Sequence, residues 1–356
     1  MPTVSVIIPT YKGASFVGDA IHSVWTQTRR PDEVIVVDDG SPDDTLAVVE
    51  GLRRSSPIPL RVVSLPGNSG SPAKPINEGV RVARGNTIAV VDQDDVLLPA
   101  HLTSLATALE RRHDVALAAC GCGSWHNPSR PGHRVQSRGV LAALESVAQR
   151  DRDCWLLQGR DMLRLLVTRG NFLVGYPGFM FRRSDWAARG GVDESFQVGS
   201  DYDMACWLCD RGEVAFFPRR LYLRRTHPDN LSLVSELQGM LDVGRVILRY
   251  AGQAAGMEAE SDFWQYVGRH YVRMLITLGW ARRHAEAFRR LRTATVAWGW
   301  NHDTHMTAFK LAYTCLAPRL LGRTFRAPAD RLEAYLDCLD AIRTLCDRGL
   351  ERSRTS

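Results

Sequence analysis

No apolar stretch in the 356-residue chain approaches the roughly 18 to 20 residues that a membrane-spanning helix needs. The start, MPTVSVIIPTYKG, lacks a basic region followed by a cleavable apolar segment, so residence in the cytoplasm is expected. Eight cysteines (Cys120, Cys122, Cys154, Cys206, Cys209, Cys315, Cys338 and Cys346) show no repeated spacing of a disulfide or zinc framework and read as reduced thiols. Cys206 and Cys209 do form a CxxC pair, but no second pair follows at zinc-ribbon spacing and the neighbours are apolar, which favours core packing over metal or redox use. There is no internal repeat, no zinc finger and no basic-aromatic recognition motif, and the formal charge of +6 is modest, so nucleic acid is not an expected partner. A composition of 45% hydrophobic and 24% charged residues excludes disorder and a fibrous architecture.

What is present is an alternation of short β-branched runs with helical patterns. VSVIIPT (4–10) reads as a strand, and Val17, Ala20, Ile21 and Val24 then recur at helical spacing. EVIVVDDGS (33–41), a helix from Pro42 to about residue 52, PLRVVSL (59–65), a Gly/Ser/Pro-rich loop (66–72) and a helix from Pro72 to Ala83 follow. NTIAVVDQDD (86–95) is an apolar strand ending in carboxylates, followed by a helix from Ala100 to Arg111 and a strand DVALAACGC (114–122). Strands apolar on both faces that alternate with helices predict an α/β fold with a mostly parallel sheet covered on both sides. The segment from Ser124 to Arg160 is polar, Gly/Pro-rich at its start and shows no clear pattern; read as a loop, its length points to a functional or a mobile segment. Beyond it the pattern predicts a strand at 175–183, a helix at 201–212 closed by Gly212, and two short strands within EVAFFPRRLYLRR (213–225).

After residue 232 the pattern is helical only, in MLDVGRVILRYAG, FWQYVGRHYVRMLITLGWARR and RLEAYLDCLDAIRTLC. Two domains are therefore expected, 1–232 and an all-helical appendage at 233–356. The appendage region 236–356 holds 18 Lys/Arg against 13 Asp/Glu, a net of +5, with Trp264, Trp280, Trp298 and Trp300. Such a tail suits contact with an anionic acceptor or peripheral contact with the inner face of a membrane, but a solvated face or a homodimer contact of a helical subdomain is the favoured reading.

In open α/β sheets ligands bind outside the carboxyl ends of the strands, here Pro9-Thr10-Tyr11, Asp38-Asp39-Gly40-Ser41 and Asp92-Gln93-Asp94-Asp95. Three carboxylates within four residues repel one another, an arrangement that suits Mg²⁺ or Mn²⁺; the bland alternative is a solvated acidic turn. Because Mg²⁺ is usually held by one or two carboxylates and completed by phosphates, the motif implies a diphosphate-bearing ligand. Asp39, in a turn before Gly40, can accept a hydrogen bond from the ring N–H of uracil, thymine or guanine, or can instead cap the next helix, a task open to Ser41 as well.

The order SVIIPTYKGASFVGDAIHSVWTQT, EVIVVDDGSPDDT, INEGVRVARGNTIAVVDQDD, GFMFRRSDW…GGVDESFQVGSDYDMACWL and RTHPDNLS resembles glycosyltransferase family 2, with its Rossmann-like GT-A fold, over residues 3–232. That resemblance implies an enzyme that moves a sugar from a nucleoside diphosphate donor, a UDP-sugar first and a dTDP- or GDP-sugar next, to a hydroxyl of a glycan, glycolipid or metabolite, with inversion. Pro9, Thr10, Tyr11 and Asp39 match the nucleoside pocket, and Asp92, Asp94 and Asp95 the motif holding ribose and metal. Asp201 matches the catalytic base and His227 a histidine near metal and diphosphate, so that Asp94, Asp95 and His227 are the expected metal ligands. Ser200 stands where the family often has Glu, and GSPAKPINEGV lacks the usual Ala-Arg-Asn run, leaving Lys74 as the basic contact, with Arg224 or Arg225 assisting. Asp201 also sits where a carboxylate could simply cap a helix. Retention of configuration, or a non-catalytic scaffold that binds the sugar nucleotide, are the alternative readings.

Overall fold

Each apolar run becomes a strand because its Val and Ile side chains lose water on both faces, at roughly 1.5 to 3 kcal/mol for each fully buried side chain. In the computed structural model, which describes residues 3–125, 136–227, 230–231, 236–255, 275, 283–298 and 329–355, β1 (Val4–Thr10) is buried throughout. The amphipathic helix α1 (Val17–Trp25) covers it with Val17, Ala20, Ile21 and Val24. β2 (Glu33–Asp38), α2 (Thr45–Arg54), β3 (Leu60–Ser64), α3 (Ala73–Val82) and β4 (Thr87–Val90) continue the alternation. Then come β5 (Val96–Leu97), α4 (His101–Arg111), β6 (Val115–Trp125), α5 (Arg138–Val147), β7 (Gln149–Asp151), β8 (Cys154–Leu157) and α6 (Gly159–Arg169). A 3₁₀ turn at Tyr176–Gly178 leads into β9 (Phe179–Arg182), α7 (Arg183–Arg189), α8 (Ser200–Cys209) and β10 (Glu213–Arg225).

The strands form one ten-stranded sheet in the order β3-β2-β1-β4-β9-β6-β10-β8-β7, with β5 against β10. β3, β2, β1 and β4 are mutually parallel. β9 is antiparallel to both β4 and β6, and β10 is parallel to β6. It follows that β6 and β10 run in the direction of β1, so Thr10, Asp38, the turn after Val90, Trp125 and Arg225 all lie along one edge of the sheet.

The mixed α/β fold with flanking helices is as expected, and several local expectations are revised. The described part of Ser124–Arg160 is not loop but contains α5, β7 and β8, with Ser137 capping α5 by accepting the Val140 N–H. The expected strand at 175–183 begins only at Phe179 and gives way to α7 at Arg183. β10 is a single strand, whose Pro218-Arg219-Arg220 stretch is absorbed by register shifts rather than a break. α2 starts at Thr45, not Pro42, because Asp43 holds both the Thr45 amide and hydroxyl. Cys206 and Cys209 are buried free thiols, as core packing requires.

By its internal contacts the chain divides into Met1–Leu166 with Asn171–Asn230, and Val167–Gly170 with Leu231–Ser356. In the second unit, helices Glu236–Ala255 and Ala329–Thr355 pack together, and Arg290 of helix His284–Trp298 pairs with Asp340. Most of the expected helix around Phe263–Arg283, with Trp264, Trp280 and Trp300, lies outside the described residues. Among the described residues no helix is long and apolar enough to cross a membrane.

His101, fully buried at the start of α4, donates from Nε2 to the Pro177 carbonyl at 2.8 Å, leaving Nδ1 buried without a partner among the described residues. Burial outweighs the pull of that carbonyl and depresses its pKa from 6.5 to about 4. A histidine depressed on folding contributes stability that is complete above pH 6.5 and is lost as pH falls towards 4, roughly 2 kcal/mol by pH 5. Between pH 7.5 and pH 5, the Tm of His101→Gln, which keeps a donor for Pro177, is expected to fall about 4 to 8 °C less than that of the parent protein. Parallel melting shifts in the two proteins would refute this assignment.

Candidate active site

The loop after β1 is tied to the turn after β4 by one side chain. Gln93 accepts from the Thr10 hydroxyl at 2.6 Å and the Tyr11 amide at 2.8 Å, and donates to the Tyr11 carbonyl at 2.9 Å. Pro9 and Thr10 end β1 in register with Val37 and Asp38, and the Asp39 amide donates to the Thr10 carbonyl at 2.8 Å. Gly40 turns the chain at φ 71°, and a Cβ there would lie 2.6 Å from Gly67 Cα, so only glycine allows this approach.

Asp39 does not cap a helix. Its Oδ2 accepts from the Ser69 amide at 2.9 Å and the Ser69 hydroxyl at 2.8 Å. Ser41 does not cap one either, since its hydroxyl accepts the Lys12 amide. Asp39 Oδ1 is buried and has no partner among the described residues. Burial raises the Asp39 pKa, against the lowering effect of the Ser69 bonds and of Lys74, whose charge reaches it from the first turn of α3.

The turn Asp92–Asp95 separates its three carboxylates. Asp94 Oδ2 meets His227 Nε2 at 2.9 Å and accepts from Asn230 Nδ2 at 2.7 Å, while the His227 amide donates to Asn230 Oδ1 at 2.7 Å. Asp95, the other carboxylate expected as a metal ligand, is buried and accepts the Arg225 amide on Oδ1 at 2.9 Å, which fastens β10 to the turn. Arg225, expected to assist the diphosphate, donates to the Asp94 carbonyl at 3.1 Å and to Asp19 at 2.6 Å, and lies over the rings of Phe16 and Trp125. Phe16 in turn stacks on His227 with centroids 4.5 Å apart.

Asp92 faces a different neighbour. Burial, then the charges of Asp94 and Asp201, push its pKa up to about 8, with Arg224 opposing. Asp201, in the first turn of α8, accepts on Oδ2 from Asn171 Nδ2 at 2.7 Å and from the Gly175 amide at 3.0 Å. Burial raises its pKa too, against the Asn171 bond, the α8 amides and Gly175. Gly175 is wedged between the two acids, since a Cβ there would stand 3.1 Å from Asp92 Oδ2.

Among the described residues no three His, Cys, Asp or Glu side chains form a ready cation cage. The pair Asp94 and His227 nevertheless suits a hard divalent ion, which needs only one or two side chains when phosphate oxygens and water complete its shell. Gln93, Asn230, Asn171 and Phe16 are contributors that sequence reasoning missed. Gln93, Asn230 and Phe16 lie inside segments already singled out, whereas Asn171 lies in none of them.

The sequence model of glycosyl transferase family 2 matches residues 5–189, and the chain belongs to that family. The chondroitin synthase of Escherichia coli is 28% identical over 234 residues, which make up 65% of this chain and 30% of that protein. A β-N-acetylglucosaminyltransferase of poly(ribitol-phosphate), TarS of Staphylococcus aureus, is 36% identical over 115 residues, 32% of this chain and 20% of TarS, so the chain spans less than a third of either relative. The crystal structure of TarS 1–349 in complex with UDP aligns with a TM-score of 0.52 at 18% identity, over 99% of this chain and 91% of that one. The mannosyltransferase PcManGT from Pyrobaculum calidifontis, in complex with GDP-Man and Mn²⁺, aligns at 0.52 and 17%, over 99% and 86%. At these identities the structural likeness establishes the fold.

Proposed function

We propose that the chain is a metal-dependent inverting glycosyltransferase that moves a sugar from a nucleoside diphosphate donor to a hydroxyl of a growing glycan or related acceptor. The observation that carries this reading is the meeting, at one sheet edge, of the Asp94–His227 pair with a separate buried acid, Asp201, held across Gly175 from Asp92. One group suits a diphosphate and its counter-ion, and the other a hydroxyl that must lose a proton. The names of the relatives, a polysaccharide synthase and an N-acetylglucosaminyltransferase, support a glycan acceptor.

Asp39 Oδ1 is free to accept the ring N–H of uracil, thymine or guanine, while Ser69 fixes the other oxygen. A uridine nucleotide is the first expectation, with dTDP- and GDP-sugars next. Lys74 beside Asp39 adds positive charge to that end of the pocket. Asp94 and His227 would hold Mg²⁺ or Mn²⁺, which when bound stabilises the negative charge of the departing diphosphate. Asp201 takes the proton of the acceptor hydroxyl as that oxygen attacks the anomeric carbon in line with the leaving diphosphate. One such displacement inverts the configuration, so NMR of the product's anomeric proton separates this reading from retention.

Calorimetric titration with UDP, dTDP and GDP, each with and without Mn²⁺, tests the donor site. One nucleotide is expected to bind with micromolar affinity only when metal is present. Failure of all three to bind would overturn the proposed donor class.

A further inference from the structure

We infer that Asn171 is the positioning residue of the base: together with the Gly175 amide it holds Asp201 Oδ2, so that the opposite oxygen is the one presented to the acceptor hydroxyl. This rests on the reading of Asp201 as the base, and deepens it. A carboxylate needs donors, so the Asn171 carboxamide must turn its Nδ2 to Asp201 at 2.7 Å. Its Oδ1 then faces away, buried and with no partner among the described residues. An asparagine serving only to fasten a loop would be expected to have both ends of its amide satisfied. Here only the end toward the acid is engaged.

The segment that carries Asn171 is fixed from several directions. Gln136 Nε2 donates to the Phe172 carbonyl at 2.9 Å, and the buried Tyr222 hydroxyl meets the Leu173 carbonyl at 2.9 Å and the Val174 carbonyl at 2.5 Å. Val174 sits at φ 59°, a region that β-branched residues avoid, and Gly175 follows at φ 95°. Such strain persists where the surroundings over-determine it, and it concentrates at working sites. Its effect here is to aim the Gly175 amide at the same oxygen that Asn171 holds.

The test reads the acid itself. Aspartate is labelled at its carboxyl carbon, and the Asp201 resonance is identified by its loss in Asp201→Asn. The groups whose charges bear on this region are Asp92 after β4, Tyr176 before β9, Arg189 on α7, Arg224 on β10, and Tyr202, Asp203 and Cys206 on α8. Asp92 is assigned by Asp92→Asn. Loss of a donor to the charged form raises a pKa, so in Asn171→Ala the Asp201 midpoint is expected at higher pH than in the parent protein. Asn171→Leu, which fills the volume without a donor, gives the same reading if the alanine variant does not fold.

A second arm measures nucleoside diphosphate released to water from a panel of UDP-, dTDP- and GDP-sugars. Turnover at saturating donor is expected to fall about 10²-fold in both variants, the scale set by a misplacement of about 1 Å, with nucleotide affinity within threefold. An unchanged Asp201 midpoint, or turnover within threefold of the parent, overturns the inference. If Asp201→Asn itself keeps its rate, the base assignment has failed instead, which separates the two claims.

Discussion

In Asp201→Asn, transfer at saturating donor is expected to fall by about 10² to 10⁴-fold, the usual contribution of a general base, while nucleotide affinity stays within threefold. The geometry makes this variant close to a pure removal of basicity. The asparagine carbonyl can take the place of Oδ2 and keep the bonds from Asn171 and Gly175. The amide then faces the acceptor with protons of its own and cannot take one. Stability is expected to hold or rise. Burial lifts the Asp201 pKa, so the acid stabilises the fold when protonated, below its ordinary pKa, and that contribution is lost as pH rises through the raised value. At neutral pH the neutral amide avoids that cost. Turnover, calorimetry and thermal melting on one preparation decide the matter. A rate near that of the parent rules out the base role, and a joint loss of nucleotide binding and Tm assigns Asp201 to the fold instead.

The parts of this site that could be read from sequence are those encoded locally. β1, β2 and β4 announce themselves as unbroken apolar runs, and the polar residues that end them must then share an edge once the strands are parallel. α5, β7 and β8 did not stand out, because strands of three and four residues with exposed positions carry almost no periodic signal. β10 looked like two strands because Pro218 and two arginines interrupt its pattern, yet a bulged strand tolerates such residues. The most consequential omissions are side chains whose partners are remote in sequence. Gln93 reaches Thr10 across 83 positions, and Asn230 reaches Asp94 across 136. Periodicity reports which face of an element is buried, and says nothing about which distant amide will complete a carboxylate. Asp95 illustrates the same limit: three acids in one turn look interchangeable until the Arg225 amide claims one of them.

Asp94→Ala and Asp94→Asn are expected to part company. Both should weaken Mn²⁺-dependent binding of the nucleotide selected by calorimetry by at least about 10²-fold, the upper end of what loss of an outer partner to a metal ligand costs. In the alanine variant the damage extends further. Asp94 Oδ2 is the shared acceptor for His227 and Asn230, and Asn230 in turn holds the His227 amide, so its removal releases the chain after β10 and with it the ring that Phe16 stacks upon. The asparagine carbonyl preserves those hydrogen bonds while lacking the charge a hard cation requires. Asp94→Asn should therefore melt within 1 to 2 °C of the parent, a difference of well under about 1 kcal/mol, yet lose the metal dependence. Asp94→Ala should lose both. His227→Gln provides the complementary measurement, because it leaves the carboxylate in place and removes the ring nitrogen; its nucleotide affinity should fall less than that of either Asp94 variant and should still respond to Mn²⁺. Should nucleotide bind to Asp94→Asn as tightly as to the parent and with the same response to Mn²⁺, the ion is held elsewhere, and the Asp94–His227 pair is a structural clasp between the β4 turn and the end of β10.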